Sequence, residues 1–253
     1  MVKAVAVITG GSSGIGAAIA RALAGRGLLC VLLARGEERL RPLAEELDGE
    51  YELCDVGDRG AVDRTAAAVI ERHPRIKLLV SNAGIPGRSG FVDADAERID
   101  LVTRVNYLGG VWCLRAFLPA LEAATPSDVV NVASVAGTVT AGTSGPYSAS
   151  KHAQVSFSRA VAAELRPRGV RVHTVLPGFV ETEGFPQRTV LPRYLHPAIA
   201  EPEDVAKAVL RAIDRNKHEV YVPRYYRVGT LAQAFAPGII ARVARSSRLK
   251  KPA

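Results

Sequence analysis

The stretch "AVAVITGGSSGIGAAIARAL", residues 4–23, decides the fold. Its first part, Ala4 to Thr9, is apolar on successive residues, as a strand buried on both faces requires. A turn containing Gly10, Gly14 and Gly16 follows, and an alanine-rich helical period begins inside it. A strand that passes through glycines directly into a helix lets backbone N–H groups and a helix N-terminus approach a pyrophosphate. Any tight strand-to-helix turn can also use glycine, so the context has to decide.

The remaining chain supplies that context. Strand-like runs at 4–9, 28–34, 51–55, 76–81, 128–134, 170–176 and 218–223 alternate with segments of helical period at 14–25, 37–47, 58–72, 96–123, 147–166 and 203–215. The runs are rich in Val, Leu and Ile and mostly apolar on both faces. This predicts an α/β fold: a Rossmann-like, doubly wound, seven-stranded parallel sheet flanked by helices on both faces, with a ligand crevice at the carboxyl ends of the strands. With 253 residues, 48% hydrophobic and 6% aromatic, the chain is expected to be one domain over 1–253 whose core is Ala, Val, Leu and Ile.

The net charge of +8 suggests nucleic acid until it is located. Arg215, Lys217, Arg224, Arg227, Arg242, Arg245, Arg248, Lys250 and Lys251 face one acid, Glu219, so everything before Arg215 balances. The excess belongs to a C-terminal tail, which has no aromatic platform or recognition motif for nucleic acid. Cys30, Cys54 and Cys113 lack metal-ligand spacing and read as buried thiols. His173 and His196 have no third ligand at useful spacing, so no metal is expected. The opening apolar run is too short for a signal peptide, and no run reaches the ~20 residues that span a bilayer, so a cytoplasmic protein is expected.

Further along, the chain carries Asp55–Val56, "SNAG" at 81–84, "VNYLG" around Asn106, Ser134, "YSASK" at 147–151 and "PGFVET" at 177–182. In this order, after a turn of the form T-G-x-x-x-G-x-G, the sequence resembles the short-chain dehydrogenase/reductase family through most of its length. The resemblance implies that Tyr147 is the general acid/base and that Lys151 lowers its pKa and binds the nicotinamide ribose. It also implies that Ser134 hydrogen-bonds the substrate oxygen and that Asn106 holds a proton-relay water. It assigns cofactor contacts to Gly10, Ser12, Ser13, Gly14, Ile15 and Gly16 in the turn. Asp55 is placed on the adenine amine with Val56 beside it, Asn82, Ala83 and Gly84 on the adenosine side, and Pro177, Gly178, Val180 and Thr182 toward the nicotinamide.

The physical chemistry of the pair agrees with that role. A tyrosine of pKa ~10 is a poor base at neutral pH, and bringing it near neutrality takes about 4 kcal/mol. A unit charge ~4 Å away supplies only ~1 kcal/mol in bulk water and ~4 kcal/mol at an effective dielectric near 20. A helical i, i+4 spacing puts Tyr147 and Lys151 on one face, so the lysine has to be close and the site sheltered. Taken singly, such a pair also occurs on solvated helix faces, a serine at a strand end caps turns, and an asparagine in a helix bonds local backbone.

At the end of the second strand an acid would accept bonds from a free ribose 2′-hydroxyl, and an arginine would favour a 2′-phosphate. The residues there are Ala34 and Arg35, with no acid until Glu37, so NADP(H) is expected over NAD(H). A proline-broken segment, about 179–202, occupies the position of the family's substrate lid, with Phe185, Val190, Leu191, Tyr194 and Leu195 as an apolar lining. A small hydrophobic carbonyl or alcohol substrate is expected. Residues 228–253 read as a basic amphipathic helix through Leu231, Phe235, Ile239 and Val243, interrupted at Pro237–Gly238, that packs, joins subunits or touches a membrane surface peripherally. Helices at 106–123 and 147–166 match those through which the family forms homodimers and homotetramers. The rival readings are a nucleotide-binding regulator without turnover, a nucleotide-sugar epimerase or dehydratase, and a membrane-surface binder.

Overall fold

The structure is a computed structural model that describes residues 3–87, 90–140 and 145–238. Its strands are β1 (Val5–Thr9), β2 (Leu29–Ala34), β3 (Glu50–Leu53), β4 (Ile76–Ser81), β5 (Ser127–Val132), β6 (Val170–Pro177) and β7 (Glu219–Val222). All pair in parallel, in the order β3-β2-β1-β4-β5-β6-β7. The helices are α1 (Gly14–Ala24), α2 (Glu37–Glu46), α3 (Arg59–Arg72), α4 (Ala96–Thr103), α5 (Gly109–Ala123), α6 (Gly145–Leu165), α7 (Gln187–Val190), α8 (Pro202–Asp214) and α9 (Tyr226–Phe235).

Successive strand residues serve opposite faces, so the continuous apolar runs build two cores. Ala6, Ile8, Cys30, Leu32, Leu78 and Val80 pack with α1, α2 and α8. Val5, Val7, Val31, Leu33, Ile76 and Leu79 pack with α3, α5 and α6. The strand order reverses between β1 and β4, and the crevice where dinucleotides bind in such sheets opens there, beyond their carboxyl ends.

Two departures from the sequence reading bear on the site. The helix expected over 96–123 is broken: α4 ends at Thr103, a π-helical turn runs Arg104–Leu108, and α5 starts at Gly109. The wider turn carries Asn106, and such turns mark functional positions. The tail's helical period yields α9, which stops at Phe235, two residues before Pro237. Ile239, Val243 and the basic residues after them lie outside the described residues. His173 is fully buried on β6, with its ring nitrogens against the Lys217 carbonyl at 2.8 Å and Asp128 at 2.9 Å. Asp128 also accepts from Arg171 at 2.7 Å. Burial pushes the Asp128 carboxyl up, and the His173 and Arg171 bonds more than offset this, holding it below the usual carboxylate range.

Gly10 and Gly14 adopt positive φ, 64° and 52°, conformations that glycine enters at no steric cost. Gly16 is required for a different reason: a Cβ there would lie 2.1 Å from the Gly10 carbonyl oxygen and 2.6 Å from the Asn82 amide nitrogen. Gly16→Ala is therefore expected to cost about 1–3 kcal/mol by overpacking against backbone. A thermal melt measures it, and an unchanged midpoint would contradict the close approach.

Candidate active site

The carboxyl ends of β1 and β4 are stitched together before any ligand is considered. Thr9 Oγ1 accepts from the Asn82 and Ala83 N–H groups at 3.0 and 3.1 Å and donates to the Val80 carbonyl at 3.3 Å. The Asn82 side-chain amide donates to the Thr9 and Gly10 carbonyls at 3.0 and 3.2 Å. Asn82 thus holds the glycine turn in shape while lying on the crevice wall.

A cavity of about 370 Å³ fills the crevice. Gly10, Ser12, Ser13, Gly14 and Ile15 of the turn line it, with Arg35, Asp55, Val56, Asn82, Ala83, Gly84, Tyr147, Lys151 and Thr182. Gly16 lies behind the turn instead, because α1 has to pass close to Gly10. Pro177, Gly178 and Val180 are also off the cavity wall. Gly178 is covered by Tyr226 of α9, whose Cε2 lies 2.1 Å from where a Cβ would stand. Sequence reasoning did not single out Gly36, Cys54, Val105, Val132 or Ala133 as lining residues; they follow strand ends or sit on the π-turn and carry no motif.

Tyr147 stands in the first turn of α6, and its phenol hydrogen-bonds Ser134. Ser134 is buried just past β5. Its hydroxyl accepts from the Ala136 N–H at 3.1 Å and lies 3.4 Å from the Pro177 carbonyl. Burial pushes the Tyr147 phenol above its usual value, and the Ser134 bond pulls it partly back. Lys151 is 3% exposed, and burial alone lowers its pKa to about 8. The shelter predicted from the sequence is present, and the i, i+4 spacing brings the lysine to the tyrosine's side of α6. Lys151 Nζ lies 6.0 Å from the Tyr147 ring centre, and the Val132 carbonyl at 3.3 Å and Gln154 Oε1 at 2.9 Å hold it there.

Asn106 reaches the site indirectly. Its side-chain Oδ1 accepts from the Ile85 N–H at 2.8 Å, and its Nδ2 donates to the Ile85 carbonyl at 3.0 Å and to Ser150 Oγ at 3.2 Å. These bonds clamp the loop after β4, which carries Gly84, onto α6. The side chain does not line the cavity.

On the lid side, Thr182, Gly184 and Phe185 line the cavity, and the Phe185 and Tyr147 rings are 6.2 Å apart. Glu183 reaches across to Arg39 of α2. Glu37 faces away from the cavity, accepting from the Tyr51 hydroxyl at 2.8 Å and pairing with Arg41 at 2.7 Å. Neither Glu37 nor Glu38 lines the cavity at the end of β2. Among the described residues no group of three His, Cys, Asp or Glu side chains has metal-binding geometry. No helix of those residues is long and apolar enough to cross a membrane.

The family model for short-chain dehydrogenases matches residues 4–189 of this chain. The chain belongs to the short-chain dehydrogenase/reductase family. A Streptomyces coelicolor relative that carries the name of a ketoacyl reductase is 40% identical over 187 residues, covering 70% of this chain and 71% of its own. A crystal structure of an actinorhodin polyketide ketoreductase variant with NADPH superposes with a TM-score of 0.80 at 32% identity, over 87% of this chain and 95% of that one. A Burkholderia phymatum short-chain dehydrogenase/reductase in complex with NAD gives a TM-score of 0.83 at 27% identity, over 94% and 95%. The seven-stranded sheet of this short-chain dehydrogenase/reductase is thus the family's, and the chain is a dehydrogenase/reductase enzyme.

Proposed function

We propose that this enzyme interconverts a hydrophobic secondary alcohol and its ketone, with NADP(H) as the redox partner. The observation that carries the reading is that a Ser134-bonded phenol, a buried lysine and a glycine turn at a helix N-terminus share one cavity. The turn suits a pyrophosphate: Gly10 and Gly14 stand at positive φ, and side chains there would crowd Ala83 and Thr182. A bound nicotinamide supplies the hydride for ketone reduction, or accepts it from the alcohol.

The chain's own residues handle the proton and the orientation. Tyr147 Oη donates a proton to the carbonyl oxygen in reduction and takes it from the hydroxyl in oxidation. Ser134 hydrogen-bonds that same oxygen and fixes its position. The Lys151 ammonium favours the phenolate and binds the ribose. Asn106 holds the Gly84 loop that forms the opposite wall, through the Ile85 bonds. Phe185, its ring tilted against that of Tyr147, and the lid over residues 179–202 keep water from the reacting oxygen. Phe185 also gives the substrate an apolar surface, which favours a hydrophobic one; of the other residues expected to line the lid, Val190, Leu191, Tyr194 and Leu195 do not line this cavity, and Val190 and Tyr194 are exposed. The half-buried Trp112 of α5 and Phe157 of α6 favour these helices as subunit contacts in a homodimer or homotetramer. The single-domain reading over 1–253 and the cytoplasmic location belong to the same proposal.

The cofactor preference rests on Arg35 in the cavity wall and on the outward-facing Glu37. Titration of the purified chain with NADPH and NADH tests it directly. Tighter NADPH binding is expected, and Arg35→Asp should weaken NADPH by about 10–100-fold while sparing or improving NADH. Equal affinities in the wild type, or an Arg35→Asp variant that keeps its NADPH affinity, would refute the assignment.

A further inference from the structure

Tyr147, Lys151, Gln154 and Ser158 succeed one another on α6 at helical intervals, so they form a polar stripe along one face. Lys151, Gln154 and Ser158 are all buried, at 3%, 4% and 0% exposure. Ser158 bonds Asn131 at 2.9 Å and Thr174 at 2.7 Å and belongs to the sheet contact. Gln154 is different, because both ends of its amide turn to the catalytic lysine. Its Oε1 accepts from Lys151 Nζ at 2.9 Å, and its Nε2 donates at 3.5 Å to the Val132 carbonyl, the same oxygen that takes Lys151 Nζ at 3.3 Å.

We propose that Gln154 is a positioning residue for Lys151, an uncharged acceptor that holds the buried ammonium in place without neutralising it. The inference rests on the reading of Lys151 as the charge that serves Tyr147. An ammonium has three N–H donors. Val132 and Gln154 take two of them, which leaves one for the cavity that Lys151 lines. An aliphatic side chain at 154 would leave a buried donor unpaired, and a carboxylate would cancel the charge. The groups facing the amine are otherwise uncharged or distant in role. Tyr147 comes from α6, the Val132 carbonyl from β5, and Gly84 from the loop clamped by Asn106. Asp55, which lines the same cavity, accepts from the Gly57 N–H at 2.8 Å. No charged neighbour contributes to the lowering of the Lys151 pKa.

The chain has seven lysines, few enough to follow each by NMR in ligand-free protein carrying 13C-labelled lysine, with the Lys151 signal assigned by its loss in Lys151→Met. Wild type is expected to titrate at about 8. Gln154→Met should lower that midpoint by roughly one pH unit and Gln154→Glu should raise it by at least that much. Both should move the half-maximum of alcohol oxidation upward by roughly one pH unit, the first by losing the positive charge and the second by compensating it. A merely structural glutamine would leave the Lys151 midpoint unchanged in Gln154→Met and alter only the melting temperature, which would overturn the proposal, and an unmoved midpoint in Gln154→Glu would show that residue 154 does not reach the amine at all. If Gln154→Met fails to fold, Gln154→Leu, titrated in the same way, decides in its place by the downward shift or its absence. Tyr147→Phe, assayed in parallel with NADPH and a panel of aromatic and long-chain ketones, separates the two levels. Wild-type turnover in Tyr147→Phe removes the functional reading itself. An inactive Tyr147→Phe together with a Lys151 titration indifferent to residue 154 removes only the role of Gln154.

Discussion

Tyr147→Phe is expected to lower turnover by about 10²–10⁴-fold, the range that a positioned proton donor contributes, with little change in stability. The second half of that expectation follows from the surroundings of the hydroxyl. Ser134, its partner, keeps the Ala136 N–H and the Pro177 carbonyl when the phenol is gone, so no buried polar atom is stranded. The ring itself stays packed near Phe185. Cofactor binding should survive as well, since the glycine turn and Arg35 are untouched. The measurement is NADPH oxidation against a ketone panel, paired with a cofactor titration and a melt. Retained turnover in a variant that still binds NADPH would sink the assignment of Tyr147. Loss of binding together with turnover would show instead that the residue shapes the crevice.

Lys151→Met should have an opposite pair of effects: turnover falls by a comparable factor, and the fold becomes more stable. Burial holds the folded-state pKa of Lys151 at about 8 against an ordinary 10.5. Between those values the unfolded chain binds more protons than the folded one, so this residue's contribution to stability rises with pH across that window. Below about pH 8 its full penalty is present, about 3 kcal/mol by linkage. Methionine removes that penalty but leaves Gln154 Oε1 without its donor, which costs about 1–3 kcal/mol. The net gain at pH 7 is therefore about 0–2 kcal/mol, or a few degrees in melting temperature for a chain of this size. The advantage over wild type should shrink as pH rises toward 10.5 and the wild-type amine loses its proton. A variant less stable than wild type at pH 7 would mean that the lysine's bonds to Val132 and Gln154 outweigh its desolvation. A stable but inactive Lys151→Met would place this lysine among groups kept for chemistry at a cost to the fold.

The sequence by itself determined the architecture and most of the residues around the crevice. Short apolar runs without alternation, set between longer segments of helical period, read as strands covered on both faces, and each expected run became a strand within two residues of its expected ends. A glycine turn between strand and helix dictated where β1 hands over to α1. The i, i+4 spacing dictated that Tyr147 and Lys151 share a face of α6. Each of these signals is local, because burial and helical period are written into neighbouring residues. The tertiary structure alone decided which distant group each polar atom meets. An unbroken helical period over 96–123 hid the π-turn that gives Asn106 to the Ile85 backbone, since that turn answers to a loop some twenty residues earlier. The direction of Glu37 was set by Tyr51 on the neighbouring strand. The position of the Lys151 ammonium was set by a carbonyl on β5 and by an amide one turn further along α6. A buried charge settles where acceptors converge, and the sheet brings those acceptors together only after the chain has folded.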